Sequence, residues 1–177
     1  VGTDLDSDAI SYPYAWYVDG VAAGSGATLD GTSAFSKGQT VAALVTPTDG
    51  SDAGSPVFAS GVVVENSAPS AVTVQINPAS PLAAQDDLVC GITGGVDPDG
   101  DSLTHTFTWT VDGVAFGGAG TTTFTGDTIA ALDTCKTTEW TCSVSSSDGT
   151  ESVSDAQTVP VTAMFCGSYD LASVGDI

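Results

Sequence analysis

The chain repeats itself. Residues 3–20 read TDLDSDAISYPYAWYVDG and residues 96–113 read VDPDGDSLTHTFTWTVDG, at an offset of 93. This aligns Asp4, Asp6 and Asp8 with Asp97, Asp99 and Asp101, Trp16 with Trp109, and Asp19-Gly20 with Asp112-Gly113. Further on, KGQTVAALVTPTDG (37–50) aligns with KTTEWTCSVSSSDG (136–149) at an offset of 99, so copy two carries six extra residues between the blocks. Self-similarity of this kind marks tandem modules, here of about 95 residues each, an ordinary size for a small domain. The copies are unequal. Segment 67–95, SAPSAVTVQINPASPLAAQDDLVCGITGG, precedes the acidic cluster of copy two, and copy one has no counterpart to it. The expected organisation is a partial module over 1–65, a complete one over 66–162, and a tail over 163–177 able to add a strand.

The local pattern is that of strands. Val72, Val74 and Ile76 alternate with Thr73 and Gln75. Leu88, Cys90 and Ile92 form a second inward row. Leu103, His105, Phe107, Trp109 and Val111 alternate with four threonines, and Trp140, Cys142 and Val144 form another row. A period of two puts one face toward a core and the other toward water. Asp112-Gly113 supplies the positive φ angles of a tight hairpin. Asp148-Gly149 turns the chain into a last strand near 151–161. The fold class is therefore all-β, with seven or so strands suited to an antiparallel two-sheet sandwich. Trp16, Trp109 and Trp140 fall on inward rows and are expected in the core.

Charge narrows the function. Lys+Arg number 2 against 22 Asp+Glu, a formal charge of −20. So few cations cannot neutralise phosphates, which argues against nucleic acid and against anionic membrane surfaces. No apolar run approaches the roughly 20 residues of a spanning helix, so no membrane insertion is expected. The apolar fraction of 41% is enough for a real core.

The four cysteines favour an oxidising, secreted or cell-surface location, and on count alone they allow three pairings. Cys90 lies on the second strand of copy two, Trp109 on the third and Cys142 on the penultimate one. This order resembles the immunoglobulin-like sandwich. The stretches DPDGD, WTVDG and NSAPS are similar to those of bacterial tandem modules of the PKD-like, cadherin-like and Ig-like group, and the resemblance covers nearly everything but the tail. It implies two tandem Ig-like sandwiches, the first incomplete, with a Cys90–Cys142 bridge packed against Trp109. Cys135–Cys166 would then tie the inserted loop to the tail. Copy one departs from the pattern, because Ala43 stands at the position of Cys142.

The acidic cluster is the sharpest chemical feature. Asp97, Asp99 and Asp101 alternate around Pro98 and Gly100, and hard oxygen ligands at alternate positions with a glycine for the wrap suit Ca²⁺. In a sandwich of the resembled kind, Asp148, Glu65 and Asn66 would join them at the end facing copy one. Asp4, Asp6, Asp8 and Asp49 would make the equivalent site there. The competing reading is a solvated acidic turn. His105 reads as a packed or rim histidine, and no nucleophile context such as GxSxG occurs, so no enzyme is expected.

Copy one lacks its first two strands, which leaves its inward rows without a partner sheet, and such a surface is unstable in water. Either the chain is a piece of a longer array, or a strand arrives in trans from the tail of another copy. Met164, Phe165, Tyr169 and Leu171 would carry that self-assembly, and head-to-tail contact builds filaments. The expected partners are copies of itself or neighbouring modules. The expected function is a structural spacer, stalk or filament subunit whose joint is stiffened by calcium. The alternative is an adhesin or carbohydrate-binding accessory module, with a glycan or surface ligand as partner.

Overall fold

The computed structural model describes residues 7–134 and 138–162. The chain divides into two compact units, Val1–Ser67 and Ala68–Ile177, and among the described residues the regular structure of both is almost wholly antiparallel strand.

Unit 1 contains β1 (Tyr14–Val18), β2 (Val21–Ser25), one helical turn α1 (Gly31–Ala34), β3 (Thr40–Val45), β4 (Val57–Phe58) and β5 (Val62–Val63). They make a single sheet in the order β2-β1-β3-β4, with β5 also paired to β3. Asp19 (φ +49°) and Gly20 (φ +79°) form the two-residue turn between Val18 and Val21. Positive φ at both central residues gives the turn whose twist matches the flanking strands. α1 begins at Asp30, whose carboxylate accepts from the Thr32 N–H. That bond, with a second from the Thr32 hydroxyl, holds the Asp30 carboxyl below its ordinary range.

Unit 2 contains β6 (Val72–Asn77), β7 (Leu88–Gly94), β8 (Thr104–Val111), β9 (Val114–Phe116), β10 (Thr128–Ile129), a 3₁₀ turn (Ala131–Thr134), β11 (Thr138–Ser147) and β12 (Ser152–Val161). One sheet runs β10-β7-β6 and the other β12-β11-β8-β9. The core between them holds Val74, Ile76, Leu88, Cys90, Phe107, Trp109, Ile129, Trp140, Cys142, Val144, Val159 and Val161. Cys90 on β7 and Cys142 on β11 are joined by a disulfide, so the bridge connects the two layers. Trp109 lies opposite Cys142 in the β8–β11 register. Trp140 meets Trp109 and Phe116 edge-on, at 6.3 and 4.9 Å between ring centroids.

The repeat extends to individual hydrogen bonds. Trp16 Nε1 donates to Gly26 O at 2.9 Å and Trp109 Nε1 to Gly126 O at 3.0 Å. Asp19 Oδ1 accepts from Thr40 N and Asp112 Oδ1 from Glu139 N, both at 2.8 Å. Asp49 Oδ1 accepts from Ser51 N and Asp52 N, and Asp148 Oδ1 from Thr150 N and Glu151 N. Trp16 pairs with Ala43 as Trp109 pairs with Cys142. By register, β4 and β5 take the place of β12. Leu44 faces Phe58 where Ser143 faces Ala156, and Val41 faces Val62 where Trp140 faces Val159. The sheet of unit 1 is thus the four-stranded sheet of unit 2. Among the described residues it has no counterpart of β6, β7 and β10.

Candidate functional site

Two features of this fold offer chemistry or contact: a carboxylate loop in unit 2 and a bare sheet in unit 1. The loop spans 95–103, between β7 and β8. Its near side is fixed by Ser70, whose N–H donates to Val96 O and whose hydroxyl accepts from Val96 N, both at 2.9 Å. The loop therefore lies beside the segment by which the chain enters unit 2. Asp97 Oδ1 accepts from Asp99 N at 2.8 Å and from Asp101 N at 3.2 Å. Gly100, at φ +84°, permits this wrap. The wrap gathers oxygens of Asp97, Asp99 and Asp101 within 4.8 Å of one another. Asp97 Oδ2 is buried and has no hydrogen-bond partner. A buried carboxylate oxygen without a donor is costly, and a cation would satisfy it. The donor set is all oxygen, which fits a hard divalent ion rather than zinc or copper.

The other residues expected to act as ligands are placed as follows. Among the described residues the gathered carboxylates are those three; Asp148 Oδ1 accepts from the N–H groups of Thr150 and Glu151 in its own turn. Asp49 does the same in unit 1. In that unit the Asn66 side chain accepts from Lys37 Nζ at 2.9 Å and donates to Ser67 O at 3.1 Å. Glu65 and Asp8 are exposed. Asp4, Asp6, Cys135, Cys166, Met164, Phe165, Tyr169 and Leu171 lie outside the described residues.

A buried carboxylate, Asp127, was not expected from the sequence. Asp127 is 1% exposed. It accepts from the N–H of Thr122, Thr123 and Phe124 and from the hydroxyls of Thr122 and Thr128, at 2.7–2.9 Å. Burial pushes its pKa up. The bonds from Phe124, Thr122, Thr123 and Thr128 outweigh burial and hold the carboxyl well below the ordinary range. Five donors leave it no capacity for a ligand, so it closes the loop that carries Gly126, the acceptor for Trp109. The TTTFTGD stretch held the signal, since Asp caps nearby backbone N–H groups. His105 is half-buried, with Nδ1 2.7 Å from the Ser146 hydroxyl and its ring edge-on to Phe124. Ser146 is fully buried, so its hydroxyl is closed to substrate.

The bare sheet is the second feature. In unit 2, Trp109 is 2% exposed and Trp140, Cys142 and Val144 no more than 1%. Their counterparts Trp16, Val41, Ala43 and Val45 are half-buried, and Val62, where Val159 would be, is 69% exposed. Trp16 therefore departs from the expectation of a core tryptophan, because among the described residues of unit 1 no second sheet covers it. Among the described residues of unit 1, Val18 is the single buried side chain.

No protein-family model and no curated protein matches the chain. Among the described residues no helix is long and apolar enough to cross a membrane.

Proposed function

We propose that this chain is a structural repeat module of an extracellular or cell-surface assembly. In this reading the bare face of unit 1 is covered by a β layer from a neighbouring module or another copy. Ca²⁺ held by Asp97, Asp99 and Asp101 stiffens the loop where the chain enters unit 2. The observation that carries the reading is the contrast just described: two equivalent sheets, one with a buried inward row and one without. An apolar row left open in water is a site for strand or sheet addition.

Unit 2 indicates how such a layer is held. Its edge strand β6 is pinned by side chains of β12, with Asp155 Oδ2 accepting from Val74 N and Gln157 Oε1 from Ile76 N. Val57 stands at the place of Asp155, opposite Val45 as Asp155 is opposite Val144. A layer on unit 1 is then held there by apolar contact rather than by a side-chain acceptor. The tail, with Phe165, Tyr169 and Leu171 spaced by even numbers of residues and so on one face of an extended chain, has the pattern of a strand able to supply it. Contact from the tail of one copy to unit 1 of the next is heterologous and extends into a filament. The disulfide between the layers accords with an oxidising compartment.

Sedimentation velocity and negative-stain microscopy of the full chain test the reading. A ladder of species or threads is expected, shortened by Phe165→Asp with Tyr169→Asp. A chain that stays monomeric at its highest soluble concentration, with the variant indistinguishable, removes the reading.

A further inference from the structure

Both sheets present an inward apolar row. Among the described residues one layer, the β10-β7-β6 sheet, covers such a row, that of unit 2. Apolar character gives that layer little reason to prefer one row. Trp109 recurs as Trp16 and Val144 as Val45, while Trp140 gives way to Val41, which is smaller but also apolar. Burial rewards any apolar cover without direction. Three contacts of the layer with the unit 2 sheet are directional. Cys90 of β7 is bridged to Cys142. Val74 N donates to Asp155 Oδ2 at 2.8 Å and Ile76 N to Gln157 Oε1, so side chains of β12 close the outer edge of β6. None of the three residues recurs in unit 1. Ala43 stands for Cys142 and Val57 for Asp155. Ala59, whose N–H donates to Ala43 O at 2.8 Å, stands for Gln157, which lies opposite Cys142.

We propose that Asp155, Gln157 and Cys142 assign the β6–β7 layer to the unit 2 sheet and deny it to the unit 1 sheet. Mispairing between modules is a characteristic failure of repeat chains. Sheets that share register, turns and a tryptophan bond are prone to it. On a unit 1 sheet the same layer would set Val74 N and Ile76 N against Val57 and Ala59, which offer no side-chain acceptor. A buried N–H without a partner carries its full desolvation penalty, and each such group disfavours the pairing about tenfold. Specificity here comes from what the wrong sheet leaves unsatisfied as much as from what the right one supplies. The cysteine acts at a later stage. While the thiols are free, the two acceptors discriminate between the sheets. Once the bridge forms, the choice is fixed by a covalent bond. The assignment concerns the layer this chain carries, so it stands whether or not another layer covers unit 1 in solution.

A competition for Cys90 in the full chain tests the assignment. Ala43→Cys offers a second bridging position, equivalent to Cys142. The reduced chain is refolded in a glutathione couple, where thiol–disulfide exchange lets the bridge move. Peptide mapping by mass spectrometry then gives the ratio of Cys90 bridged to position 43 over Cys90 bridged to Cys142, within a chain or between chains. With Ala43→Cys alone, Cys142 is expected to keep Cys90. Adding Val57→Asp and Ala59→Gln supplies unit 1 with the acceptors and is expected to raise the ratio at least tenfold. Unit 2 is unaltered in that variant, so a loss of its stability cannot produce the shift. Adding Asp155→Val and Gln157→Ala to Ala43→Cys instead removes the acceptors from unit 2 and is expected to raise the ratio at least tenfold as well. A bridge to position 43 that already dominates with Ala43→Cys alone overturns the proposal. A ratio that the unit 1 exchange leaves unmoved also overturns it. Should the unit 2 exchange not fold, the unit 1 exchange decides.

Discussion

Unit 1 and unit 2 build the same sheet with the same turns and the same tryptophan hydrogen bond, yet among the described residues unit 2 has a buried core and unit 1 a single buried side chain, Val18. The difference lies in long-range parts. Unit 2 adds β6, β7 and β10, and a disulfide closing a separation of 52 residues. In a chain-entropy account a closure of that length stabilises by about 4 kcal/mol. Unit 1 has Ala43 at the bridging position. Local bonds thus specify a strand order and its turns, while stability rests on what covers the sheet.

The two tryptophans isolate that effect, because their indole N–H groups make the same bond to Gly26 O and Gly126 O. Trp109→Ala removes a side chain that is 2% exposed and is expected to cost about 4 kcal/mol. Trp16→Ala loses the same hydrogen bond from a half-buried position, and about 1 kcal/mol is expected. Urea unfolding followed by circular dichroism measures both. Equal losses would mean that Trp16 is covered in solution, which would itself locate the missing layer on unit 1.

Asp127 gives the next largest effect and has no counterpart among the described residues of unit 1. Its folded pKa is held below the unfolded value of about 4. Its contribution is thus fully present above that unfolded value and is lost as pH falls toward the folded one. Asp127→Asn presents an amide N–H to donors that need an acceptor, and a loss of about 2 kcal/mol from unit 2 at neutral pH is expected. The variant should also flatten the decline in stability of unit 2 below about pH 4. A parent whose stability does not change across that acid range would show that the five bonds persist without the charge.

Much of this was legible in the letters. The strands of unit 2 follow their period-two rows, because one wet face and one dry face leave a strand little choice. The Asp-Gly hairpins at 19–20 and 112–113 were fixed by the φ angles they demand. The repeat offsets aligned Trp16 with Trp109 and Asp49 with Asp148, down to their hydrogen bonds. What the letters obscured is how carboxylates are used. Asp97, Asp127 and Asp148 look alike in sequence. One wraps a loop and leaves an oxygen bare, one is consumed by five donors, and one closes its own turn. Those fates depend on which backbone N–H groups converge, a property of the folded chain.

The smallest effect concerns the cation, and it turns on the same contrast among aspartates. If the proposed site takes Ca²⁺, a tenfold excess over its dissociation constant is expected to stabilise the folded form by about 1.4 kcal/mol, or several degrees in the melting of a domain this size. Chelation should remove that increment from the parent. Asp148→Asn should leave the cation response intact, since Asp148 is not among the gathered carboxylates. Asp97→Asn should abolish the response, because it removes the oxygen that has no donor. Without the metal its sign reverses. Neutralising one of three carboxylates gathered within 4.8 Å relieves like-charge repulsion, so in chelator the variant is expected to melt no lower than the parent. The melting curves of parent and variant should therefore exchange order between chelator and Ca²⁺. A site that merely tolerates three acids in a solvated turn would give no such crossing, since the cation would then have nothing to satisfy.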